Sequence, residues 1–393
     1  MSIVAVREFA QRRDRLYNAT TMQASKHSSE NQHDTAGNTP VPRIQAAEVV
    51  LPCTELDATL EFFTDTLGFS VEAVFPADNP RAVVISGYGV RIRLQLGATD
   101  APGRLRLLCG VSEGVPELQA PNGTRIELVA ADPTLQMPPL APSLVVTRLS
   151  GTSNWITGRA GMRYRDLIPG RQGGRFIASH IQIPGGGPVP DYVHYHKVRV
   201  QMIYCYKGWV KVVYQDQGPP FVLHAGDCVL QPPRIRHRVL ESSPGLEVIE
   251  ISSPAEHETF ADRNMTLPTT SRNPQRDFSG QVFVHHVARE ARWKAHPMQG
   301  FEARDIGIAA ATKDLADARV LRVKSPCAAQ SLRHQGEFRF LFVLQGSAAL
   351  NSKGEAGSPL GAGDCCVIPP GEDYTLEDCS ASLQLLQVRL PVE

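Results

Sequence analysis

Gly187-Pro-Val-Pro-Asp-Tyr-Val-His194-Tyr195-His196-Lys-Val-Arg-Val-Gln201 is the stretch whose reading decides the fold. His194 and His196 stand at i and i+2, so on an extended segment both imidazoles leave the same face and can reach one ion. Forty-one residues after His196 comes His237, behind Gly226-Asp227 and Pro232-Pro233. A third imidazole delivered from a later strand completes a facial set. Three neutral imidazoles suit Fe, Zn, Mn, Ni or Cu, and three protein ligands leave positions for water, substrate or dioxygen. Three histidines at this spacing point to a metal site, where a lone one would only fill a core.

The run from Gly187 to Val239 resembles the paired motifs of the cupin family. His194 and His196 match its first histidine pair, Gln201 stands where that family has an acidic ligand, and Gly208 matches its glycine. Gly226, Pro232 and His237 match the second motif. Because Gln201 brings no charge, the resemblance is to the three-histidine cupins, and it implies a jelly-roll β-barrel holding one divalent metal. Gln201 is then a weak ligand or a catalytic hydrogen-bond partner. A neutral three-histidine set favours Fe(II) and dioxygenase chemistry on a small chelating substrate such as an enolate, thiolate or catecholate. A non-oxidative isomerase, lyase or hydrolase using Zn, Ni or Mn stays open, as does a small-molecule sensor in which the metal only positions a ligand. Tyr192, Tyr195, Tyr204, Tyr206 and Arg199 lie in or beside the motif as groups to orient a substrate. Alternation puts Gln201, Ile203 and Cys205 inward with the histidines and Tyr204 and Tyr206 outside. Cys205 and Cys228 are read as lining residues without a nucleophilic role.

Comparison of the chain with itself gives a repeat of about 138 residues. Arg165-Asp166 answers Arg304-Asp305, His196 answers His334, and Gly208 answers Gly346. Gly226-Asp227-Cys228 answers Gly363-Asp364-Cys365, and Pro232-Pro233 answers Pro369-Pro370. The C-terminal third therefore reads as a second, degenerate cupin barrel. In the same register His194 becomes Leu332, Gln201 becomes Arg339 and His237 becomes Tyr374, so His334 alone survives of the ligand set. An inward Arg339 needs an anionic partner, since a buried unpaired guanidinium is very costly. Glu337, Glu372, Asp373 or a bound carboxylate are the candidates.

Upstream, Ala47–Leu51 reads as a strand and Glu55–Leu67 as a helix with Leu56, Leu60, Phe63 and Leu67 on one face, stopped by Gly68. Strands are expected over Phe69–Phe75, Ala82–Ile85, Val90–Leu96 and Thr124–Val129, completing a βαβββ module. The segment Leu51–Phe69 resembles the opening of the glyoxalase and bleomycin-resistance (vicinal oxygen chelate) family. By that resemblance Glu48 and Glu127 occupy metal-ligand positions of a possible second site; the plainer reading makes them strand-end carboxylates near Arg91, Arg93 or Arg125. That family pairs its modules and only one is evident, which implies a homodimer through this module.

The expected organisation is a disordered tail over 1–42, the module over 43–132, a proline-rich linker over 133–153, the metal-binding barrel over 154–262, a linker over 263–285 and the degenerate barrel over 286–393, a mainly β protein. With 393 residues, Lys+Arg 40 and Asp+Glu 40, no bulk charge favours nucleic acid or an anionic membrane. No apolar stretch approaches the ~20 residues that span a bilayer. Eight cysteines without a Cys-x-x-Cys ladder and no secretory leader read as reduced thiols in a cytoplasmic chain. Cys365 and Cys366 are adjacent and point to opposite faces, so no simple site uses both.

Overall fold

The computed structural model describes residues 43–110, 117–149, 155–158, 161–326, 330–353 and 355–391. The tail expected over 1–42 lies outside the described residues. The chain is mainly β and divides into two compact units, residues 1–133 and 134–393.

In the first unit the strand Val49–Cys53 leads into a helix over Leu56–Glu61 that widens to a π-helical turn over Phe62–Thr66. Gly68 ends it at φ +75°, a conformation that costs glycine little. Strands Ser70–Phe75, Ala82–Gly87 and Val90–Leu96 follow, and the last returns parallel to Val49–Cys53, giving a four-stranded βαβββ sheet. Phe63, Ile85, Ile92 and Leu94, all fully buried, pack the helix onto this sheet. The strand expected over Thr124–Val129 does not join it. It forms as Arg125–Ala130 in a separate three-stranded sheet, parallel to Arg104–Cys109. Alternating apolar residues say that a segment is a strand but not which ladder it enters.

The second unit stacks four main sheets in two lobes, with a small two-stranded sheet of Asp277–Phe278 and Gln281–Val282 beside them. In the first lobe a seven-stranded sheet, built around Ile177–Ile183, Val200–Lys207 and Leu246–Ser253, faces a six-stranded sheet built around His194–His196, Trp209–Tyr214 and His237–Ser242. In the second lobe a seven-stranded sheet around Asp317–Val323, Phe338–Gln345 and Gln384–Leu390 faces a three-stranded sheet around Ser347–Ser352. Each lobe is thus a two-sheet jelly roll, its facing sheets remaining separate ladders. The two seven-stranded sheets pack on one another, so their strands are buried on both faces. That explains near-continuous apolar runs such as Phe338-Arg-Phe-Leu-Phe-Val343: Phe338, Phe340 and Phe342 enter the core between the lobes, while Leu341 and Val343 enter the interior of the second lobe. The Phe176 and Phe338 rings stack across the junction at 4.3 Å.

The stretches expected as linkers carry strands. Val145–Thr147, which precedes the first lobe, pairs with Cys365–Ile368 of the second. Val284–His286, which precedes the second lobe, pairs with Cys228–Leu230 of the first. Each lobe thus lends its leading strand to the other, and the repeated Gly-Asp turns secure the exchange. Asp364 accepts from the Leu149 amide at 2.7 Å and the Gly361 amide at 2.8 Å. Asp227 accepts from the Ala288 and His224 amides, both at 2.8 Å. Arg165 donates to the Gly363 carbonyl at 2.6 Å, and Arg304 to the Gly226 carbonyl at 3.4 Å. At Gly363 (φ +90°) a Cβ would come within 2.6 Å of the Leu149 side chain, so only glycine lets the exchanged strand lie this close.

Candidate metal centre

The sheet pairing assembles the three histidines. His194 is the register partner of His237 on one neighbouring strand and of Ala261 on the other, and His196 is opposite Thr259. The period of two puts His194 and His196 on one face, and the Gln231–Arg236 loop returns His237 to the same place. That loop is pinned at both ends: the Gln231 amide donates to the Gln201 carbonyl at 2.9 Å, and the Arg234 amide to the His196 carbonyl at 3.0 Å. Ring centroids lie 4.2 Å apart for His194 and His237, 5.2 Å for His194 and His196, and 5.3 Å for His196 and His237. One ring nitrogen from each falls within 4.8 Å of the others, the one cluster of three or more such ligands among the described residues.

Hydrogen bonds fix which nitrogens those are. His194 Nδ1 lies 2.8 Å from the Tyr192 carbonyl and His237 Nδ1 lies 3.0 Å from the Ile235 carbonyl. A carbonyl only accepts, so both Nδ1 atoms carry hydrogen and both Nε2 atoms carry the lone pair. His196 Nδ1 is 2.8 Å from Thr259 Oγ1, which orients the third ring in the same sense. This is the outer arrangement that metal-ligating histidines adopt. Metal-to-imidazole bonds are ~2.0–2.1 Å, so His194, His196 and His237 would hold a divalent ion with these nitrogens no more than about 4.2 Å apart, inside the 4.8 Å that bounds the cluster. Asp191, whose Oδ2 accepts from the Val239 amide at 2.9 Å, puts Oδ1 3.6 Å from His194 Nδ1. His194 and His237 are buried at 1% and 6% exposure, while His196 is half-buried, so the cluster opens on the His196 side.

Gln201 is buried and faces the lobe interior with Ile203 and Cys205, as alternation predicts. Its amide is engaged by a neighbour that sequence reading missed: Nε2 donates to Glu250 Oε1 at 2.6 Å. Tyr204 and Tyr206 lie outside the first lobe's interior yet not in solvent, because that face is the core between the lobes. Cys228 belongs to the same core and does not line the interior. Burial raises both thiols, Cys205 to about 12 with the Asp227 charge adding, which matches unreactive core cysteines. Arg199 is not at the centre; it pairs with Glu337 at 2.8 Å. Tyr195 stacks on Phe260 beneath the Arg236 guanidinium, and Tyr192 contributes its carbonyl to His194.

In the second lobe Arg339 Nη1 donates to the Tyr374 hydroxyl at 3.2 Å, and His334 Nε2 donates to the Ile368 carbonyl at 2.7 Å. The surviving histidine therefore turns Nε2, the nitrogen its counterpart His196 offers, to the backbone. Glu337, a candidate partner for Arg339, instead joins Arg175 and Arg199 of the first lobe, and Asp373 lies 3.9 Å from Arg333. In the first unit Glu48 is held by Arg91 and Arg93, both at 3.1 Å, and Glu127 by Arg104 at 2.8 Å and Arg106 at 3.7 Å. Each carboxylate is thus shared between two guanidiniums.

Thr259, Glu250 and Tyr214 are the site residues that sequence reading overlooked. Glu250 carried a signal, a charge at an inward position between Val248 and Ser252. Thr259, 63 residues from His196, carried none.

Residues 179–251 match the family model of the cupin domain. The cupin segment contains His194, His196, Gln201 and His237 and lies wholly in the first lobe. No curated protein matches the chain. Among solved structures, the chain is similar to a salicylate 1,2-dioxygenase from Pseudaminobacter salicylatoxidans (15% identity, 65% of this chain and 86% of that one, TM-score 0.48). It is similar also to an oxalate decarboxylase from Lactobacillus farciminis solved as a formate complex (14%, 66% and 88%, TM-score 0.46). A third is protein Ylba from E. coli (12%, 64% and 91%, TM-score 0.45). Overlaps of this size carry no argument about chemistry.

Proposed function

We propose that this chain is a metal-dependent cupin enzyme that holds one divalent ion, Fe(II), on His194, His196 and His237 and acts as a non-haem dioxygenase on a small chelating organic substrate. The observation that carries the reading is the common orientation of the three imidazoles, two fixed by backbone carbonyls and one by Thr259, around one interior point. Bound there, the ion supplies a Lewis-acidic centre with open positions for a chelating substrate and an oxidant. The chain's own groups orient and shield. Tyr214, stacked on His237 at 5.4 Å and buried, closes the inner side against water, and the Asp191 carboxylate steadies His194. Anaerobic protein loaded with Fe(II) should consume oxygen when screened against β-diketones, thiols and catechols. Turnover of a screened substrate under strict anaerobiosis would instead favour a non-oxidative isomerase, lyase or hydrolase.

The βαβββ unit is, in this proposal, a glyoxalase-like module that pairs two chains. Its edge strand Ser70–Phe75 exposes Val71, Val74 and Phe75 at 46%, 42% and 65%. A long apolar edge of this kind is a pairing surface. No helix among the described residues is long and apolar enough to cross a membrane; a cytoplasmic location belongs to the proposal.

A further inference from the structure

Gln201 and Glu250 sit on adjacent antiparallel strands, Gln201 opposite Ser252 and Ile203 opposite Glu250. Both side chains have inward parity, because Ile203, Cys205, Leu246 and Val248 of the same two strands pack in the interior of the first lobe. Their contact is short, Nε2 to Oε1 at 2.6 Å, and Ser252 Oγ adds a second donor to that oxygen at 3.3 Å. A carboxylate only accepts, so the amide has one orientation here: nitrogen on Glu250, Oε1 turned away from it. The loop that carries His237 ties this pair to the histidines: at its start the Gln231 amide donates to the Gln201 carbonyl at 2.9 Å, and further on the Arg234 amide donates to the His196 carbonyl at 3.0 Å.

Resting on the metal reading above, we propose that Glu250 is a positioning residue that locks the Gln201 amide, so that the interior presents an acceptor oxygen beside the histidine site and selects anions bearing a hydroxyl over the same anions without one. A neutral amide that could flip would offer N–H or C=O indifferently. The carboxylate removes that freedom, and the ligand must then bring the hydrogen. It also follows that Gln201→Glu, which restores the commoner acidic residue, sets two carboxylates against each other where one hydrogen bond stood, an arrangement in which both do not ionise together.

The test uses the full chain loaded with Co(II), whose visible spectrum reports ligands entering the site, titrated with glycolate and with acetate. Chelation by glycolate is common to every variant and cancels in the ratio of affinities relative to wild type. One lost hydrogen bond predicts that Glu250→Gln lowers the glycolate preference about tenfold. Gln201→Glu should shift the Co(II) spectrum even without added anion, and the exchanged pair Gln201→Glu/Glu250→Gln should keep a shifted spectrum, since the carboxylate stays at position 201, yet recover the glycolate preference, since the amide at position 250 donates to that carboxylate. A preference unchanged in Glu250→Gln, or a preference not recovered in the exchanged pair, overturns the proposal. Wild-type protein that takes up no Co(II) would overturn the metal reading as well, whereas Co(II) uptake with unresponsive variants overturns the positioning role alone.

Discussion

Thr259 supplies the side-chain hydrogen bond to His196 Nδ1, whereas the Nδ1 atoms of His194 and His237 face backbone carbonyls. Thr259→Val keeps the shape of the side chain and deletes the hydroxyl. Metal affinity should fall about tenfold or more, the usual cost of losing such a partner, with the fold intact. Equilibrium dialysis against Co(II) reads it, and affinity equal to wild type would show that His196 needs no orienting partner. At this scale the histidines were legible because i, i+2 spacing on a strand is a local property. Their partners were not, because Thr259 reaches His196 only through the pairing of Thr259–Ala261 with His194–His196. Gln201 was placed correctly inward, but its chemistry depends on Glu250, whose meaning appears once the two strands are set side by side.

Among elements, the junction of the lobes carries the sharpest expectation. Glu337 accepts from Arg175 at 3.0 Å and Arg199 at 2.8 Å, joining the second lobe to the first. Burial by itself would raise this carboxyl, but the two guanidiniums outweigh it and hold Glu337 below the ordinary carboxylate range. A depressed value means stability that is present above the unfolded pKa, ~4.3 for Glu, and lost as pH falls through the folded one. Glu337→Gln should therefore cost about 2 kcal/mol at neutral pH, and the gap to wild type should narrow as pH falls below the unfolded value and through the depressed folded one. Denaturant melts at pH 7 and pH 3.5 check this, and a gap that does not narrow at the lower pH contradicts it. The repeat in the sequence is explained at this level too. Arg165 and Arg304, with the two Gly-Asp turns, are legible as a repeat because both lobes use them at the exchange, whereas Leu332, Arg339 and Tyr374 stand in the second lobe where His194, Gln201 and His237 stand in the first. The exchanged strands were hidden, since three-residue segments such as Val145–Thr147 have too few alternations to separate a strand from a linker.

For the whole molecule, an exposed apolar edge predicts self-association through the first unit. Sedimentation should give a dimer for the full chain and a monomer for a chain beginning at Thr134. A truncated chain that stays dimeric would move the contact to the jelly rolls. The mainly β class and the two lobes were legible in turns, repeats and apolar runs; the four-layer stack was not, because alternation cannot say that both faces of a strand are covered. We propose that one lobe holds a metal and the other, with Leu332, Arg339 and Tyr374 at the corresponding positions, does not. Metal analysis of anaerobically purified protein tests it most directly, with wild type, His237→Ala and Tyr374→Phe compared. About one divalent ion per chain is predicted for wild type and Tyr374→Phe, and close to none for His237→Ala; two ions per chain, or a content that His237→Ala leaves unchanged, would contradict it.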